Sequence, residues 1–268
     1  MELRFDNSRR PPNGHMVKNS LFDLLTAFET LPWDTSFFGM GVARITHASL
    51  NDDELAQVLD HLRASGLQLA YWLTAADRRC TGLAGTKAQE LGHKVSFAVS
   101  LSSTAKNGVP TDDLESVYSG QHDTELQQLA IAAGELSRFA IDPNFPRHSF
   151  EALYAEWMRK SLTRELADDV LVTRIDGSIA GVVTVNTRCL VGEIGLLAVS
   201  SQFRGAGLGR RLVEGALRWF GSRGCTHATV VTQEHNIAAC RLYQRCGYSL
   251  SKRERAYHFW LAPGECAP

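Results

Sequence analysis

The stretch that most constrains the fold runs from Ile194 to Gly209. Ile194-Gly195-Leu196-Leu197-Ala198-Val199 is an apolar run of strand length. The turn Gln202-Phe203-Arg204-Gly205-Ala206-Gly207-Leu208-Gly209 follows it. Beyond the turn, Leu208, Leu212, Ala216 and Phe220 recur every four residues with Val213 and Leu217 beside them, which is one face of a helix. The order is strand, glycine turn, helix. Glycines let the backbone approach a ligand closely, and a helix start aims unpaired N–H groups into the turn with the positive dipole end behind them. Such a turn suits a phosphate or pyrophosphate. A P-loop needs a Lys that this turn lacks, and a dinucleotide fingerprint needs G-x-G-x-x-G where the chain has G-x-G-x-G. What stands is Q-x-x-G-x-G, and the alternative reading is a tight turn that holds no ligand.

A second pattern follows. Thr226 to Thr232 reads as a strand, Asn236 as an N-cap, Ile237 to Cys246 as a helix and Gly247 as its stop. Asn236 and Tyr243 are seven positions apart, about two helical turns, so they share a face. The small residues Ala239 and Cys240 lie between them. Together, Q-x-x-G-x-G and N-x-x-A-x-x-x-Y-x-x-x-G-Y resemble the acetyl-CoA motifs of the GNAT acetyltransferase superfamily. The resemblance implies acetyl-CoA as co-substrate, with its pyrophosphate on Gln202, Phe203, Arg204, Gly205, Ala206, Gly207, Leu208, Gly209 and Arg210. It implies a pantetheine arm along Leu197, Ala198, Val199, Asn236 and Ala239, and Tyr243 as the general acid facing the thiolate.

Composition sets the bounds. At 268 residues with 44% apolar content, one large domain or two small ones are expected. No run reaches the ~18 apolar residues of a membrane span. A net charge of −1 gives no case for a nucleic-acid surface. The six cysteines form no C-x-x-C pair and fit a reducing, cytoplasmic setting. No His/Cys/Asp spacing calls for a metal.

The expected organisation is a leader or tag over 1–17, an N-terminal α/β domain over 18–106 and a mixed-sheet acetyltransferase domain over 111–262. In the first domain, Val42–Ile45 reads as a strand, Asn51 or Asp52 caps a helix with Leu55, Val58, Leu59 and Leu62 on one face, and Leu67–Leu73 is a strand. Thr81 to Leu91 reads as a helix stopped at Gly92, and Val95–Leu101 as a strand. Leu31 to Gly39 reads as an aromatic-anchored loop, alternatively a pocket wall with Asp34 meeting an amine. Ser102 to Pro110 reads as a linker. Later, Leu136 to Pro146 is a Pro-rich loop, Phe150–Leu162 a helix, and Val170–Ile175, Asp176-Gly177 and Ile179–Asn186 a hairpin. The superfamily resemblance implies β-α-α-β-β-β-α-β-α-β for the second domain, ending in Tyr257–Leu261.

Trp33-Asp34-x-x-Phe37-Phe38-Gly39, Ser137-Arg138-Phe139, Leu153-Tyr154-x-x-Trp157 and Ile194-Gly195-Leu196-Leu197 together resemble the dTDP-fucosamine acetyltransferase branch. That implies a nucleotide-linked amino-sugar acceptor near Trp33, Asp34, Phe37, Phe38, Ser137, Arg138 and Phe139, and a possible homodimer. Glu193 departs from what is associated with that branch. The chemistry needs a backbone N–H for the thioester oxyanion, from Val199 or Ala198 on a strand that splays from its neighbour. It needs Tyr243 as proton donor. For the amine proton, Glu193 through water, His235, Asp34 and bulk water stay open. Other readings are transfer to an antibiotic amino sugar or a peptide N-terminus, or a non-catalytic acetyl-CoA-binding module. An anionic acceptor calls for Arg138, Arg147 or Arg188 in the pocket.

Overall fold

The computed structural model describes residues 22–80, 86–101, 116–120 and 123–261. The leader, the linker and the opening of the second domain at Thr111-Asp112-Asp113 lie outside them. The chain divides into two compact units, residues 1–92 with 254–268, and residues 93–253.

In the first unit, β1 (Phe28–Thr30) pairs antiparallel with β2 (Val42–Ile45), and β2 pairs parallel with β3 (Leu69–Ala75). The crossover between β2 and β3 is α2 (Asp52–Ala64). Asn51 and Glu54 close a capping box at its start, and Leu55, Val58, Leu59 and Leu62 are buried, as their spacing predicts. From Glu254 to Trp260, the last strand, β10 (Ser249–Leu261), runs antiparallel to β3. Trp72, Tyr257 and Phe259 fill the core of this unit.

Three local expectations fail here. Pro32 to Phe38 is a helix, α1, rather than a loop. Pro32 is its first residue and Gly39 its left-handed C-cap, so the residues read as loop punctuation are the helix's own start and stop signals. Thr86 to Leu91 is strand, not helix, and belongs to the long β4 (Thr86–Ser100). The helix-favouring Lys87-Ala88-Gln89-Glu90 is overridden by tertiary pairing: Glu90 meets the Arg255 guanidinium of β10. The final strand also starts at Ser249, earlier than Tyr257, because polar Ser251 to Arg255 hides its period.

The second unit is a sheet in the order β4-β9-β8-β7-β6-β5, where β5 is Ser116–Val117, β6 Asp169–Ile175, β7 Ser178–Arg188, β8 Val191–Val199 and β9 His227–Gln233. The β6–β7 hairpin turns at Asp176-Gly177, both at positive φ, as the Asp-Gly pair predicts. Helix α3 (Thr124–Gly134) packs on β7 and β8 and against α5 (Arg147–Leu162). Within the expected loop, Ser137 caps a short helix, α4 (Arg138–Ile141). Two further helices are α6 (Leu208–Ser222) and α7 (Ile237–Arg245). Leu212, Val213, Ala216 and Phe220 of α6 pack with Val95 and Phe97 of β4, Val183 and Val185 of β7, and Ala228 and Val230 of β9. Buried Asp169 accepts the Trp219 indole N–H at 3.0 Å and pairs with Arg223 at 2.9 Å, which pins the end of α6 to β6.

Gly192 of β8 has no room for a side chain. A Cβ there would stand 2.3–2.6 Å from the fully buried Phe220 ring. Gly192→Ala is therefore expected to destabilise the unit by about 1–3 kcal/mol through overpacking. Urea unfolding followed by far-UV circular dichroism checks this, and an unchanged midpoint would show that the helix shifts freely.

Candidate active site

The strand β8 carries the site. Its pairing with β7 shifts between Val183 and Val185: Val183 faces Leu197, but Val185 faces Ile194. Gly195 and Leu196 thus oppose Thr184 alone, which is a β-bulge. The Thr184 hydroxyl accepts the Leu196 N–H at 2.9 Å. A Cβ on Gly195 would meet that hydroxyl oxygen at 2.9 Å. On the other side, β8 and β9 run parallel and in register only as far as Ile194 and Val230. From Gly195 to Val199, β8 has no partner in β9. The two strands open into a slot.

Backbone alternation decides which N–H groups face that slot. The Leu196 N–H goes to Thr184, and the Ser200 N–H goes to Ala180 O at 2.9 Å, both on the β7 side. In an extended strand successive N–H groups point to opposite sides, so those of Leu197 and Val199 point into the slot and that of Ala198 toward β7. Of the two residues expected to supply an oxyanion donor, Val199 thus has its N–H on the slot side and Ala198 on the β7 side.

The turn at the end of β8 keeps the features read from its sequence. Gly205 and Gly207 have φ of +84° and +80°, and nothing lies within 4 Å of where their Cβ atoms would stand. Gly207 is the N-cap of α6 and offers no capping side chain, so the N–H groups of the first helical turn are left for a ligand. Gln202, Arg204, Ala206 and Arg210 are exposed around the turn, Phe203 is half-buried and Leu208 is buried. Arg210 pairs with Glu214 at 2.7 Å, and the Arg204 Nε donates to Val199 O at 3.3 Å. Open glycine backbone, a bare helix start and a neighbouring slot fit a pyrophosphate with an extended arm.

The two faces of the sheet differ. Gly192, Ile194, Ala228 and Val230 point to α6, so Glu193 and Thr229, opposite each other in register, point to the other face. Tyr243 lies on the α6 side, its ring centroid 6.1 Å from Phe97 and 5.9 Å from Tyr248. Burial pushes the Tyr243 hydroxyl well above the usual tyrosine range. It therefore stays protonated through neutral and mildly alkaline pH. Buried Tyr243 thus lies on one face of the sheet and the half-buried Glu193 carboxylate on the other.

Asn236 caps α7, its side chain accepting the Ala239 N–H at 3.2 Å. Ala239 and Cys240 are half-buried on that helix. The Cys240 thiol is pushed up by burial, so it is a poor nucleophile and no acyl-enzyme route is built on it.

The expected acceptor residues fall into both units. Trp33, Asp34, Phe37 and Phe38 lie on α1 of the first unit, with Asp34 buried and Trp33 stacked on Phe37 at 4.7 Å. Ser137, Arg138 and Phe139 lie at the start of α4 in the second unit. Ser137 caps α4, the Arg138 guanidinium stands 4.7 Å over the Phe139 ring, and Phe139 meets Phe145 edge-on at 5.3 Å. Arg147 is held by Glu135 and Glu151 at 2.5 and 2.7 Å. Arg188 is registered with Val191, at the end of β8 away from the slot. Sequence reasoning missed Thr184 and the bulge; the signal was Gly195 inside an apolar strand.

Residues 131–248 match the Acetyltransferase (GNAT) family model. That stretch has the mixed α/β GNAT fold of acetyl-CoA-dependent acetyltransferases, and the turn and slot fit acetyl-CoA as the donor. Over 245 residues the chain is 28% identical to the dTDP-fucosamine acetyltransferase of Escherichia coli O6:H1, covering 88% of this chain and 97% of that one. Over 144 residues it is 28% identical to the spore coat polysaccharide biosynthesis protein SpsD of Bacillus subtilis, covering 53% of this chain and 49% of that one. A GCN5-related N-acetyltransferase from Sphaerobacter thermophilus shares the fold at a TM-score of 0.51 and 15% identity, over 88% of this chain and 77% of that one. Among the described residues, no group of three or more metal-ligating side chains stands together, and no helix is long and apolar enough to cross a membrane.

Proposed function

We propose that the GNAT domain passes the acetyl group of acetyl-CoA directly to the amine of a nucleotide-linked amino sugar, a dTDP-4-amino-4,6-dideoxyhexose. The observation that carries the reading of direct transfer is the slot between β8 and β9, with Tyr243 beside one face and Glu193 on the other. Likeness to the dTDP-fucosamine acetyltransferase along most of both chains supports the acceptor class, as does Arg138 on the α3–α4 segment.

When bound, acetyl-CoA supplies an acetyl thioester. The turn Gln202 to Arg210 and the start of α6 hold its phosphates. The Leu197 and Val199 N–H groups face the place where a carbonyl oxygen gains negative charge. Tyr243 gives its proton to the departing sulfur. Glu193, with a water between, takes the proton released by the attacking amine. Of the other candidates, His235 has its Nε2 engaged by Leu136 O and only Nδ1 left to take a proton, and Asp34 is buried.

Glu193→Gln is expected to lower kcat about 10- to 50-fold, the low side of general-base effects because solvent partly substitutes. An unchanged kcat would remove Glu193 from the proton path. The acceptor class is tested by mass: the dTDP-linked amino sugar should gain one acetyl group on its amine nitrogen.

A further inference from the structure

Three consecutive residues join β9 to α7, and each is anchored to a different element. The Glu234 N–H donates to His93 O at 2.8 Å, and its carboxylate takes Arg253 at 2.6 Å and His93 at 2.9 Å. Asn236 caps α7. Between them, His235 Nε2 stands 2.9 Å from Leu136 O, ninety-nine residues away in the chain. A carbonyl oxygen only accepts, so Nε2 carries the hydrogen and donates it.

Leu136 leads directly into the start of α4. The Ser137 N–H donates to Gly134 O at 2.8 Å, and the Ser137 side chain accepts from Ala140 N at 3.3 Å. Holding the Leu136 carbonyl therefore fixes where Arg138 and Phe139 begin. On the other side, the fixed Glu234 holds the backbone from which His235 reaches.

We infer that His235 is a positioning residue that ties the segment carrying Ser137, Arg138 and Phe139 to the start of α7, and so to Asn236 and Tyr243. It sets the acceptor-side segment against the helix that carries the proton donor. In this role His235 holds the segment through Nε2 and takes no part in the proton path. The consequence for catalysis rests on the reading that Arg138 and Phe139 meet the acceptor; the tie itself does not.

The test uses three substitutions of His235, and Arg138→Ala as a control, in the full chain. His235→Ala removes the donor and should raise the acceptor KM about 3- to 10-fold, the worth of one exposed hydrogen bond. The acetyl-CoA KM should stay within about twofold of wild type. His235→Gln should restore the acceptor KM, because the glutamine Nε2 lies as many bonds from Cα as the histidine Nε2. His235→Asn, one bond shorter, should not. The pH profile of kcat should be the same in all three. Loss of its acidic limb in His235→Ala and His235→Gln alike would make His235 a base and overturn the inference.

A second readout is independent of the acceptor. Amide hydrogen exchange over 136–140 should quicken in His235→Ala and return to the wild-type rate in His235→Gln. Unchanged exchange would overturn the tie. Quickened exchange together with an acceptor KM unmoved by Arg138→Ala would leave the tie standing and remove the acceptor reading of this segment.

Discussion

Replacing Tyr243 by phenylalanine is expected to lower kcat by about 10²- to 10³-fold, within the range for a lost general acid. The acetyl-CoA KM should change little. The ring packs against Phe97 and Tyr248 on the α6 side of the sheet, and phenylalanine keeps both contacts. The hydroxyl alone is removed, so the loss should appear in kcat rather than in folding or donor affinity. The pH dependence follows from burial, which raises the hydroxyl's pKa. A raised value keeps the acid protonated to higher pH, so kcat should show no alkaline fall through the ordinary tyrosine range near ~10. The same shift makes the unfolded chain lose its Tyr243 and Tyr248 protons first. Stability should therefore decline as pH rises from about 10 toward the folded values. A variant retaining full kcat would show that the sulfur leaves unprotonated or that another group donates.

Gly207→Val is expected to weaken acetyl-CoA binding by about 100-fold or more, as backbone strain of ~1–3 kcal/mol adds to lost phosphate contacts. Gly207 holds φ of +80° as the N-cap of α6, a conformation that β-branched residues avoid. Relaxing it turns the first helical N–H groups away from the turn, which removes the anion site. Nothing lies within 4 Å of the added Cβ, so the effect is conformational and not a clash with the protein. Isothermal titration with acetyl-CoA measures it, and wild-type affinity in the variant would mean that the turn does not hold the phosphates.

The local geometry of the proposed cofactor half is legible in the sequence because it needs unusual residues at fixed spacing. Glycines at positive φ, a bare helix start and a tyrosine seven residues after a capping asparagine leave a local mark that tertiary context does not alter. The α2 face and the Asp176-Gly177 turn are readable for the same reason. Local sequence misleads where long-range pairing decides the conformation. Lys87 to Glu90 favours helix by propensity, but Glu90 is held in a strand by Arg255 of β10, 165 residues away. Pro32 and Gly39 punctuate a helix as readily as a loop, and only their backbone geometry tells which. The opening of β8 from β9 could be expected, but the Thr184 bulge and the directions of the Val199 and Ala198 N–H groups depend on strand register. The His235 tie joins two segments far apart in sequence and leaves no local pattern.

The most direct test of the proposed function is the rate of thiol release from acetyl-CoA with a panel of amines at equal concentration. The panel is a dTDP-4-amino-4,6-dideoxyhexose, the matching free amino sugar, an antibiotic amino sugar and a peptide with a free N-terminus. The expected result is a kcat/KM for the nucleotide-linked sugar at least about 100-fold above the others, since a buried polar site discriminates strongly against an acceptor that leaves it unpaired. Preferential acetylation of the free sugar, the antibiotic or the peptide would contradict the nucleotide-sugar assignment, and no release with any amine would contradict acetyl transfer itself.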